Sequence, residues 1–287
     1  MHTEHIFISG ASRGLGKAFL ETFLTKNPTA QVFGFSRTPG DMEQQMITEQ
    51  PQWQGRLHIS AGDASKEEDI KRLLGEATDF FNAPIDGLIL NAGNFLFDES
   101  LTDDTSKKAL HDLNVRGNTS LVEQTLEQKQ DHPLRIVFVS STASLAEKRG
   151  EAFPSSNEYG KTKAEVDAYL RALHETAEHV HIALLYPGPF GDSAQKIADH
   201  PDFGDTWAID EKLVAEMGVQ LFNQLKTEKF AEGIILSEKH FSIEHGFFKK
   251  EDLEAQGIMV RFIPEAQSKY LTRKKNENTN ELRENKK

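Results

Sequence analysis

The chain has 287 residues, of which 37% are hydrophobic, with a mean hydropathy of -0.54 and a formal net charge of -12. This size and composition predict a globular protein with one substantial core, and the acidic balance excludes a general nucleic-acid binder, which needs clustered Lys and Arg. The absence of cysteine excludes disulfides and thiolate catalysis, and no apolar run approaches the roughly 20 residues of a membrane span. Since Met1 to Glu4 lack a secretory signal pattern, we predict a cytoplasmic location.

The first elements are a strand, a glycine-rich turn and the start of a helix. Ile6 to Ser9 form an apolar strand pattern, Gly10 to Gly16 a turn, and Lys17 to Leu24 an amphipathic helix pattern. The free N–H groups and the positive dipole end of such a helix favour an anion. A phosphate-binding turn is therefore predicted at the start of the chain.

Three glycines give this turn its character. Gly10 permits a sharp turn off the strand, Gly14 removes a β-carbon where a pyrophosphate would approach the backbone, and Gly16 lets the helix pack close to the sheet. The alternative is an ordinary tight turn, because glycine is common between strands and helices. Further motif pieces downstream favour the phosphate-binding interpretation.

Short apolar runs then alternate with longer helical patterns, which is typical of a parallel sheet with helices on both faces. The later strands are predicted at Gln31 to Ser36, Arg56 to Ala61, Ile85 to Asn91, Leu134 to Ser141, Val180 to Tyr186 and Gly233 to Leu236. The later helices are predicted around Lys66 to Phe81, Thr102 to Gln128, Glu158 to Ala177 and Asp210 to Leu225. We therefore predict an α/β fold with a Rossmann-type, doubly wound parallel sheet of about seven strands.

We predict one domain over residues 1–267 that both binds a dinucleotide and carries out catalysis. Residues 193–207 form a loop-like pattern between the sixth strand and the next helix, and we expect them to be a mobile substrate lid. Residues 268–287 are rich in Lys, Arg, Glu and Asn, so a solvated, disordered tail is predicted there. A basic arm for an acidic partner is the alternative.

A tyrosine and a lysine stand four residues apart at the start of the helix that follows the fifth strand. On one helix face, Tyr159 and Lys163 can converge on one ligand. An ammonium beside a phenol lowers the phenol pKa toward the working range of a general acid or base. An ordinary helix surface is the alternative for this pair taken alone.

Other polar residues fall at the same predicted sheet edge. Ser140 and Ser141 end the fifth strand, where a hydroxyl can hydrogen-bond a substrate carbonyl, and Asn91-Ala92-Gly93 ends the fourth strand with small residues beside a cofactor. Asn114 lies in mid-helix, where its propensity does not favour it. No metal site is predicted, because His174, His179 and His181 match no metal-binding spacing.

Together these motifs resemble the short-chain dehydrogenase/reductase family over about residues 4 to 192, in its short, single-domain branch. The motifs are Gly10-x-x-x-Gly14-x-Gly16, Asn91-Ala92-Gly93, Asn114, Ser141, Tyr159-x-x-x-Lys163 and Pro187-Gly188. The resemblance implies an oxidoreductase that moves a hydride between a nicotinamide cofactor and a small carbonyl or alcohol.

The resemblance also implies a role for each motif residue. Tyr159 would be the general acid or base, Lys163 would hold the nicotinamide ribose and depress the tyrosine pKa, and Ser141 would steady the carbonyl oxygen. Asn114 would bind a water that connects Lys163 to solvent, and Ser140 would satisfy backbone groups. The cofactor-binding set would be Gly10, Ser12, Arg13, Gly14, Leu15, Gly16, Ser36, Arg37, Asp63, Ala64, Asn91, Ala92, Gly93, Tyr159, Lys163, Pro187 and Gly188.

The end of the second strand points to one nicotinamide cofactor over the other. An acidic residue there would bind the adenosine 2′-OH of NAD, but this strand ends in Ser36 and Arg37. Arg13 supplies a second guanidinium for a 2′-phosphate, so we predict NADP(H) in preference to NAD(H). The alternative is that both arginines are simply exposed. Asp63 resembles the adenine-contacting Asp of the family, and a helix N-terminal role with Ser65 competes with that interpretation.

Two features depart from the family pattern. The step from Ser141 to Tyr159 is long, which predicts an enlarged loop over residues 145–157 near the substrate, and Asp192 stands where the family often has a Thr, with Ser193 as its possible substitute. A non-catalytic dinucleotide sensor and a non-redox lyase or isomerase are the competing functions. The resemblance suggests a homodimer or homotetramer; we predict a small-molecule substrate and neither nucleic acid nor membrane as a partner.

Overall fold

The protein is described from a computed structural model. The structure describes residues 3–128, 133–148, 156–201, 206–239 and 249–272. In this part of the chain, no helix combines the length and the apolar character that crossing a bilayer requires.

One large sheet forms the centre of the molecule. Its strands run in the order β3-β2-β1-β4-β5-β6-β8-β9, and every pairing between neighbours is parallel. The strands are β1 His5–Ser9, β2 Gln31–Ser36, β3 Leu57–Ala61, β4 Gly87–Leu90, β5 Leu134–Val139, β6 Val180–Pro187, β8 Phe230–Ser237 and β9 Met259–Ile263. The predicted α/β fold and doubly wound parallel sheet are therefore confirmed.

The helices lie between the strands in chain order. They are α1 Gly14–Lys26, α2 Met42–Glu49, α3 Glu67–Phe81, α4 Asp104–His111, α5 Gly117–Glu127, α6 Thr142–Lys148, α7 Asn157–Thr176, α8 Gly191–Asp199, α9 Glu211–Gln224 and α10 Lys250–Glu254. Between α4 and α5, residues Asp112–Arg116 form a π-helical segment. A second, antiparallel sheet joins β7 Thr206–Ile209 to β10 Ser268–Leu271.

The sheet is buried on both faces because successive side chains of each strand point in opposite directions. On β1, Ile6 and Ile8 enter a core shared with α1 and α9, whereas Phe7 enters the core on the opposite face. Phe7 stacks on Phe33 of β2 with ring centroids 5.3 Å apart. This double burial explains why the strands appear in the sequence as nearly continuous apolar runs.

The winding of the sheet reverses between β1 and β4. From β1 the chain moves outward through β2 and β3, and then it returns to place β4 on the other side of β1. Ligands of open α/β sheets bind outside the carboxyl ends of the strands at such a reversal. The fold therefore places a ligand crevice where the predicted Gly10–Gly16 turn and Asn91 motif meet.

Several predicted elements differ from the structure around the substrate side. The loop-like lid at residues 193–207 is wrong in part, because α8 and β7 occupy much of it. The predicted tail is wrong for Ser268–Leu271, which pairs with β7. Leu271 also packs with small residues of α8, so these four residues belong to a folded layer. Residues 273–287 lie outside the described residues.

Two further differences concern element count and the loop after β5. An eighth strand, β9, extends the large sheet beyond β8 and was not predicted. The enlarged loop predicted over residues 145–157 is wrong at both ends, where α6 and the first residue of α7 are helical. Residues 149–155 of this loop lie outside the described residues.

Candidate active site

The glycine-rich turn is held against the end of β4 by side-chain hydrogen bonds. The Ser9 Oγ accepts the backbone N–H groups of Asn91 at 3.0 Å and Ala92 at 2.9 Å. The Asn91 Nδ2 donates to the carbonyl oxygens of Ser9 at 3.0 Å and Gly10 at 3.1 Å. Asn91 therefore positions the turn as well as lining the cleft.

Gly16 is required by the closeness of this packing. A β-carbon placed on Gly16 would lie 2.0 Å from the Gly10 carbonyl oxygen and 2.8 Å from the Asn91 Nδ2. Any other residue would push α1 away from the turn. Gly14, the first residue of α1, has a φ of +52°, and a β-carbon there would meet only open space out to 3.9 Å. The backbone at the α1 N-terminus is thus open to a ligand.

A cleft of about 970 Å³ runs along the carboxyl ends of the strands. The structure brings nearly all of the predicted site residues to this cleft. They are Gly10, Ser12, Arg13, Gly14, Leu15, Gly16, Ser36, Arg37, Asp63, Ala64, Asn91, Ala92, Gly93, Ser141, Tyr159, Lys163, Pro187 and Gly188. Asn114 is the exception, because it lies buried beneath the cleft. The individual roles assigned to these residues stay predictions.

The end of the cleft beside β2 carries unsatisfied polar groups. The Ser36 Oγ is buried and has no hydrogen-bond partner among the described residues. Within the same described ranges, the Arg37 guanidinium is exposed and forms neither a hydrogen bond nor an ion pair. Arg13 pairs with Asp192 at 3.1 Å, but both side chains are more than 80% exposed. An exposed pair of this kind contributes about 0–1 kcal/mol, so Arg13 can change partners at little cost.

Asp63 lies in the cleft wall but is engaged locally. Its Oδ1 accepts the Ser65 backbone N–H at 3.0 Å and the Ser65 hydroxyl at 2.8 Å. This is an Asx-type turn immediately before α3. The observed contacts therefore match the competing turn interpretation, and the adenine contact stays a prediction.

Tyr159 and Ser141 meet at the other end of the cleft. Ser141 follows β5 and Tyr159 lies in the first turn of α7, where the Ser141 hydroxyl is close enough to the phenol to lower its pKa. The Ser141 Oγ also accepts the Ala143 backbone N–H at 3.2 Å. The Tyr159 ring packs edge-on against Phe95 with ring centroids 5.0 Å apart. The two hydroxyls can therefore address a single substrate oxygen.

Lys163 is buried beside this pair and is held by a backbone carbonyl. Its Nζ donates to the Val139 carbonyl oxygen at 2.9 Å and lies 4.9 Å from the centre of the Phe138 ring. The side chain is 4% exposed. Burial lowers the pKa of Lys163 to about 8, although the charge of Asp167 acts in the opposite direction.

The predicted lowering of the tyrosine pKa is wrong for this arrangement. Burial raises the pKa of Tyr159 to about 12, and the hydrogen bond from Ser141 offsets only part of that rise. The Lys163 Nζ lies 5.9 Å from the centre of the tyrosine ring and donates to the Val139 carbonyl oxygen, and it forms no hydrogen bond with the phenol among the described residues. Residue spacing predicted that these groups converge. It did not predict that burial would be the largest influence on the pKa values of Tyr159 and Lys163.

Asn114 occupies the π-helical segment between α4 and α5, which explains an Asn within a helical pattern. Its side chain exchanges hydrogen bonds with the Asn94 backbone at 2.8 Å and 3.0 Å, and its Nδ2 also donates to the Thr162 Oγ1 at 3.1 Å. A β-carbon on Gly93 would lie 3.2 Å from the Lys163 Nζ and 3.3 Å from the Asn114 Oδ1. Gly93 thus keeps the space between these two groups open.

Helix α8 is tied to the segment after β4. The Lys196 Nζ donates to the Phe95 carbonyl oxygen at 3.2 Å. The ring of buried His200 lies over Phe97 with centroids 4.0 Å apart. Ser193, predicted to replace a family Thr, instead donates its hydroxyl to the Phe190 carbonyl oxygen at 2.6 Å. Among the described residues, this part of the cleft is therefore lined by the aromatic ring of Phe95 and by α8.

Sequence reasoning missed several residues that shape the site. Ser9 carries two of the hydrogen bonds that fix the turn, and its position directly before Gly10 was an available signal. Thr162 supports Asn114, and Asp167 lies one helical turn beyond Lys163 on the buried face of α7. The Ser140 hydroxyl, predicted to satisfy backbone groups, instead bonds the Ser144 hydroxyl at 3.0 Å. Glu211 also lines the cleft, and no local motif marks it.

Comparison with known proteins agrees with this geometry. The family model of short chain dehydrogenase matches residues 4–200, which is more than half of the chain. The chain belongs to the short-chain dehydrogenase family. The match covers both the glycine-rich turn and the Tyr159 helix, and it ends at the end of α8.

Individual relatives are distant. The chain is 25% identical over 222 residues to an uncharacterized oxidoreductase of Saccharomyces cerevisiae, covering 77% of this chain and 83% of that protein. It is also 25% identical over 201 residues to the benzil reductase ((S)-benzoin forming) of the same yeast, covering 67% and 73%. Family membership therefore rests on the joint motifs and not on one near relative.

Solved structures share the fold. An alcohol dehydrogenase from the archaeon Thermococcus sibiricus, complexed with 5-hydroxy-NADP, superposes with a TM-score of 0.66 at 19% identity, covering 81% of this chain and 96% of that chain. ElxO with NADP bound superposes with a TM-score of 0.65 at 22% identity, covering 80% and 96%.

The cleft fits a nicotinamide dinucleotide. The Gly14 backbone leaves open space at the α1 N-terminus, Ser36 offers an orphaned hydroxyl, and Gly93 clears the space beside Lys163. Glycine-rich backbone, hydroxyl and guanidinium groups are the donors that phosphate and ribose oxygens require.

Proposed function

We propose that the protein is an NADPH-dependent reductase of small carbonyl compounds. The observation that carries this proposal is the meeting of the Tyr159 hydroxyl, the Ser141 hydroxyl and buried Lys163 at the reversal point of the sheet. A bound nicotinamide would supply the hydride, and the protein would supply the proton and the positioning.

The chain's own groups favour the reductive direction. Because the pKa of Tyr159 is raised to about 12, its phenol is protonated at neutral pH and can donate a proton to a carbonyl oxygen. The Ser141 hydroxyl would hold that same oxygen, since it lines the cleft beside the phenol. The ammonium of Lys163 would stabilise negative charge that develops on the phenol oxygen as the proton leaves.

The cofactor preference rests on the groups beside β2. The orphaned Ser36 hydroxyl and the Arg37 guanidinium, which has no partner among the described residues, suit the 2′-phosphate of NADPH. The end of β2, Ser36-Arg37-Thr38, has no carboxylate to bind a free 2′-hydroxyl. The neighbours of the fold that hold NADP and 5-hydroxy-NADP are consistent with this choice.

The test is NADPH consumption at 340 nm with a panel of aliphatic and aromatic ketones, aldehydes and diketones, benzil included. The Phe95 ring lines the cleft beside Tyr159 and is backed by buried Phe97, which leads us to expect turnover with an aryl carbonyl. Binding of NADPH without consumption in the presence of any panel member would favour the sensor alternative. Product formation without a net change at 340 nm would favour a lyase or isomerase.

The cofactor choice is tested by replacing both arginines. We expect Arg13→Ala with Arg37→Ala to weaken NADPH binding by about 10-fold or more while NADH binding changes little, because charge-assisted bonds to the 2′-phosphate are lost. Arg261→Ala, on the distant edge strand β9, is the control for removing positive charge. Equal weakening of NADPH and NADH would contradict the assignment.

A further inference from the structure

Asp167 is a carboxylate on α7 that is completely buried beneath the catalytic groups. It lies four residues after Lys163, so the two side chains share one face of the helix. A carboxylate without exposure is rare unless a nearby charge or hydrogen bond holds it. Its location requires an explanation that the cofactor and substrate contacts do not provide.

A hydrogen-bond chain connects Asp167 to the catalytic serine. The Ser144 hydroxyl donates to the Asp167 Oδ2 at 2.8 Å. The same hydroxyl oxygen lies 2.9 Å from the Ser141 carbonyl oxygen. The Ser144 backbone N–H also donates to that carbonyl at 3.1 Å, and the Ser140 hydroxyl lies 3.0 Å from the Ser144 hydroxyl. Asp167 therefore anchors the first turn of α6 against α7.

The charged and hydrogen-bonding groups around Asp167 come from three elements. Lys163 and Arg171 flank it one turn before and one turn after on α7, and Ser144 faces it from α6. From the sheet, the buried Tyr186 of β6 interacts with it electrostatically and donates its own hydroxyl to Glu232 at 2.8 Å. Within the part of the chain that the structure describes, Arg171 is ion-paired with Glu232, whereas the Lys163 ammonium is hydrogen-bonded to the Val139 carbonyl oxygen.

We propose that Asp167 is a positioning residue that keeps Lys163 protonated in its buried site and fixes the backbone that carries Ser141. The proposal rests on the proposed reductase function. Lys163 donates to a carbonyl dipole at Val139, which is a weak partner for a desolvated ammonium. A fixed carboxylate one turn away supplies the missing negative charge without contacting the substrate.

The test separates charge from hydrogen bonding in the intact protein. Asp167→Asn preserves shape and the bond to Ser144 but removes the charge, whereas Ser144→Ala preserves the charge. We expect the basic limb of the pH profile of kcat for carbonyl reduction to move to lower pH by about one unit in Asp167→Asn. In Ser144→Ala we expect that limb to stay in place while kcat falls by a few-fold.

Matched controls make the outcome decisive. Asp86→Asn removes another buried carboxylate, at the amino end of β4, and we expect it to leave the pH profile unchanged. Asp167→Glu keeps the charge and is expected to keep the wild-type limb. If Asp167→Asn does not fold, Asp167→Ser carries the same test with a smaller side chain.

The failures of the two proposals are distinguishable. A wild-type protein that reduces no carbonyl with NADPH overturns the proposed function. The role of Asp167 is overturned if the wild-type protein reduces carbonyls with NADPH and the basic limb of the kcat profile lies at the same pH in Asp167→Asn as in the wild type. An equal movement of the limb in Asp86→Asn would also overturn it, because the effect would then not be local.

Discussion

The amino ends of the parallel strands form one edge of the large sheet, the amino edge, and the carboxyl ends form the opposite, carboxyl edge. Both edges bury charged side chains, but the partners of those charges differ. At the amino edge, Glu4 pairs with Arg135 at 2.8 Å and Lys226 at 3.0 Å, and Asp86 pairs with His5 at 3.3 Å. At the carboxyl edge, the Lys163 ammonium donates to a carbonyl oxygen. The amino edge thus neutralises its charges directly, whereas the carboxyl edge retains one that is only partly compensated.

The pKa values record this difference. Burial alone would raise the pKa of Glu4, but the hydrogen bonds and charges of Arg135 and Lys226 outweigh it and hold that pKa below its ordinary value. Burial dominates at Lys163 and lowers its pKa to about 8. Charge at the amino edge therefore supports folding, and charge at the carboxyl edge opposes folding and is available for chemistry.

The largest effect that separates the edges is expected from Lys163→Met. We expect kcat for carbonyl reduction to fall by about 10²-fold or more, because the ammonium no longer stabilises the phenol oxygen. The free energy of unfolding at pH 7 should not fall and can rise by as much as about 3 kcal/mol, since an apolar group replaces a poorly compensated buried charge. Kinetics and urea denaturation of the same preparation measure both quantities.

The control for that variant is Lys161→Met on the exposed side of α7, where Lys161 pairs with the partly exposed Glu158. It should leave both kcat and stability near the wild-type values. A Lys163→Met protein that unfolds much more readily than the Lys161→Met protein would contradict the contrast between the two edges.

The opposite pattern is expected from Glu4→Gln. Removing the carboxylate leaves the buried Arg135 guanidinium without its charged partner, so we expect a loss of about 3 kcal/mol in the free energy of unfolding. kcat should be unchanged, because Glu4 lies at the far edge of the sheet. Glu21→Gln, which breaks an exposed pair with Lys17, should change stability by less than about 1 kcal/mol.

A smaller, graded effect follows from the pKa of Glu4. Because its folded pKa is lower than the unfolded one, its contribution is present above the ordinary Glu pKa and is lost as the pH falls through the folded pKa. The difference in unfolding free energy between wild type and Glu4→Gln should therefore shrink as the pH is lowered from 6 toward 3. A difference that stays constant over that range would show that the carboxylate charge is not the cause.

The sequence predicted the two edges unequally. Glycine spacing, strand order and the Tyr159–Lys163 interval are local patterns, so the parallel sheet and the residues lining the cleft were predictable from them. The Glu4–Arg135 pair joins residues 131 positions apart, and no local pattern indicates it. The same holds for Ser144 and Asp167, which meet only when α6 packs on α7.

The substrate side was predicted less well for a related reason. Its polar sequence around residues 193–207 has few large apolar residues, and Ala194 and Ala198 make one small apolar face that α8 buries against Leu271. That contact depends on β10 returning from the end of the chain to pair with β7. Tertiary pairing therefore decided the structure where local propensity was weak.

The central claim is that a protonated Tyr159 at the carboxyl edge delivers a proton to a carbonyl oxygen. It is tested most directly with Tyr159→Phe, by measuring NADPH binding through fluorescence and carbonyl reduction at 340 nm in one preparation. We predict that turnover falls by at least about 10²-fold while the Kd for NADPH changes less than about 3-fold, because only the hydroxyl is removed. A variant that keeps most of its turnover, with NADPH bound normally, would contradict the account.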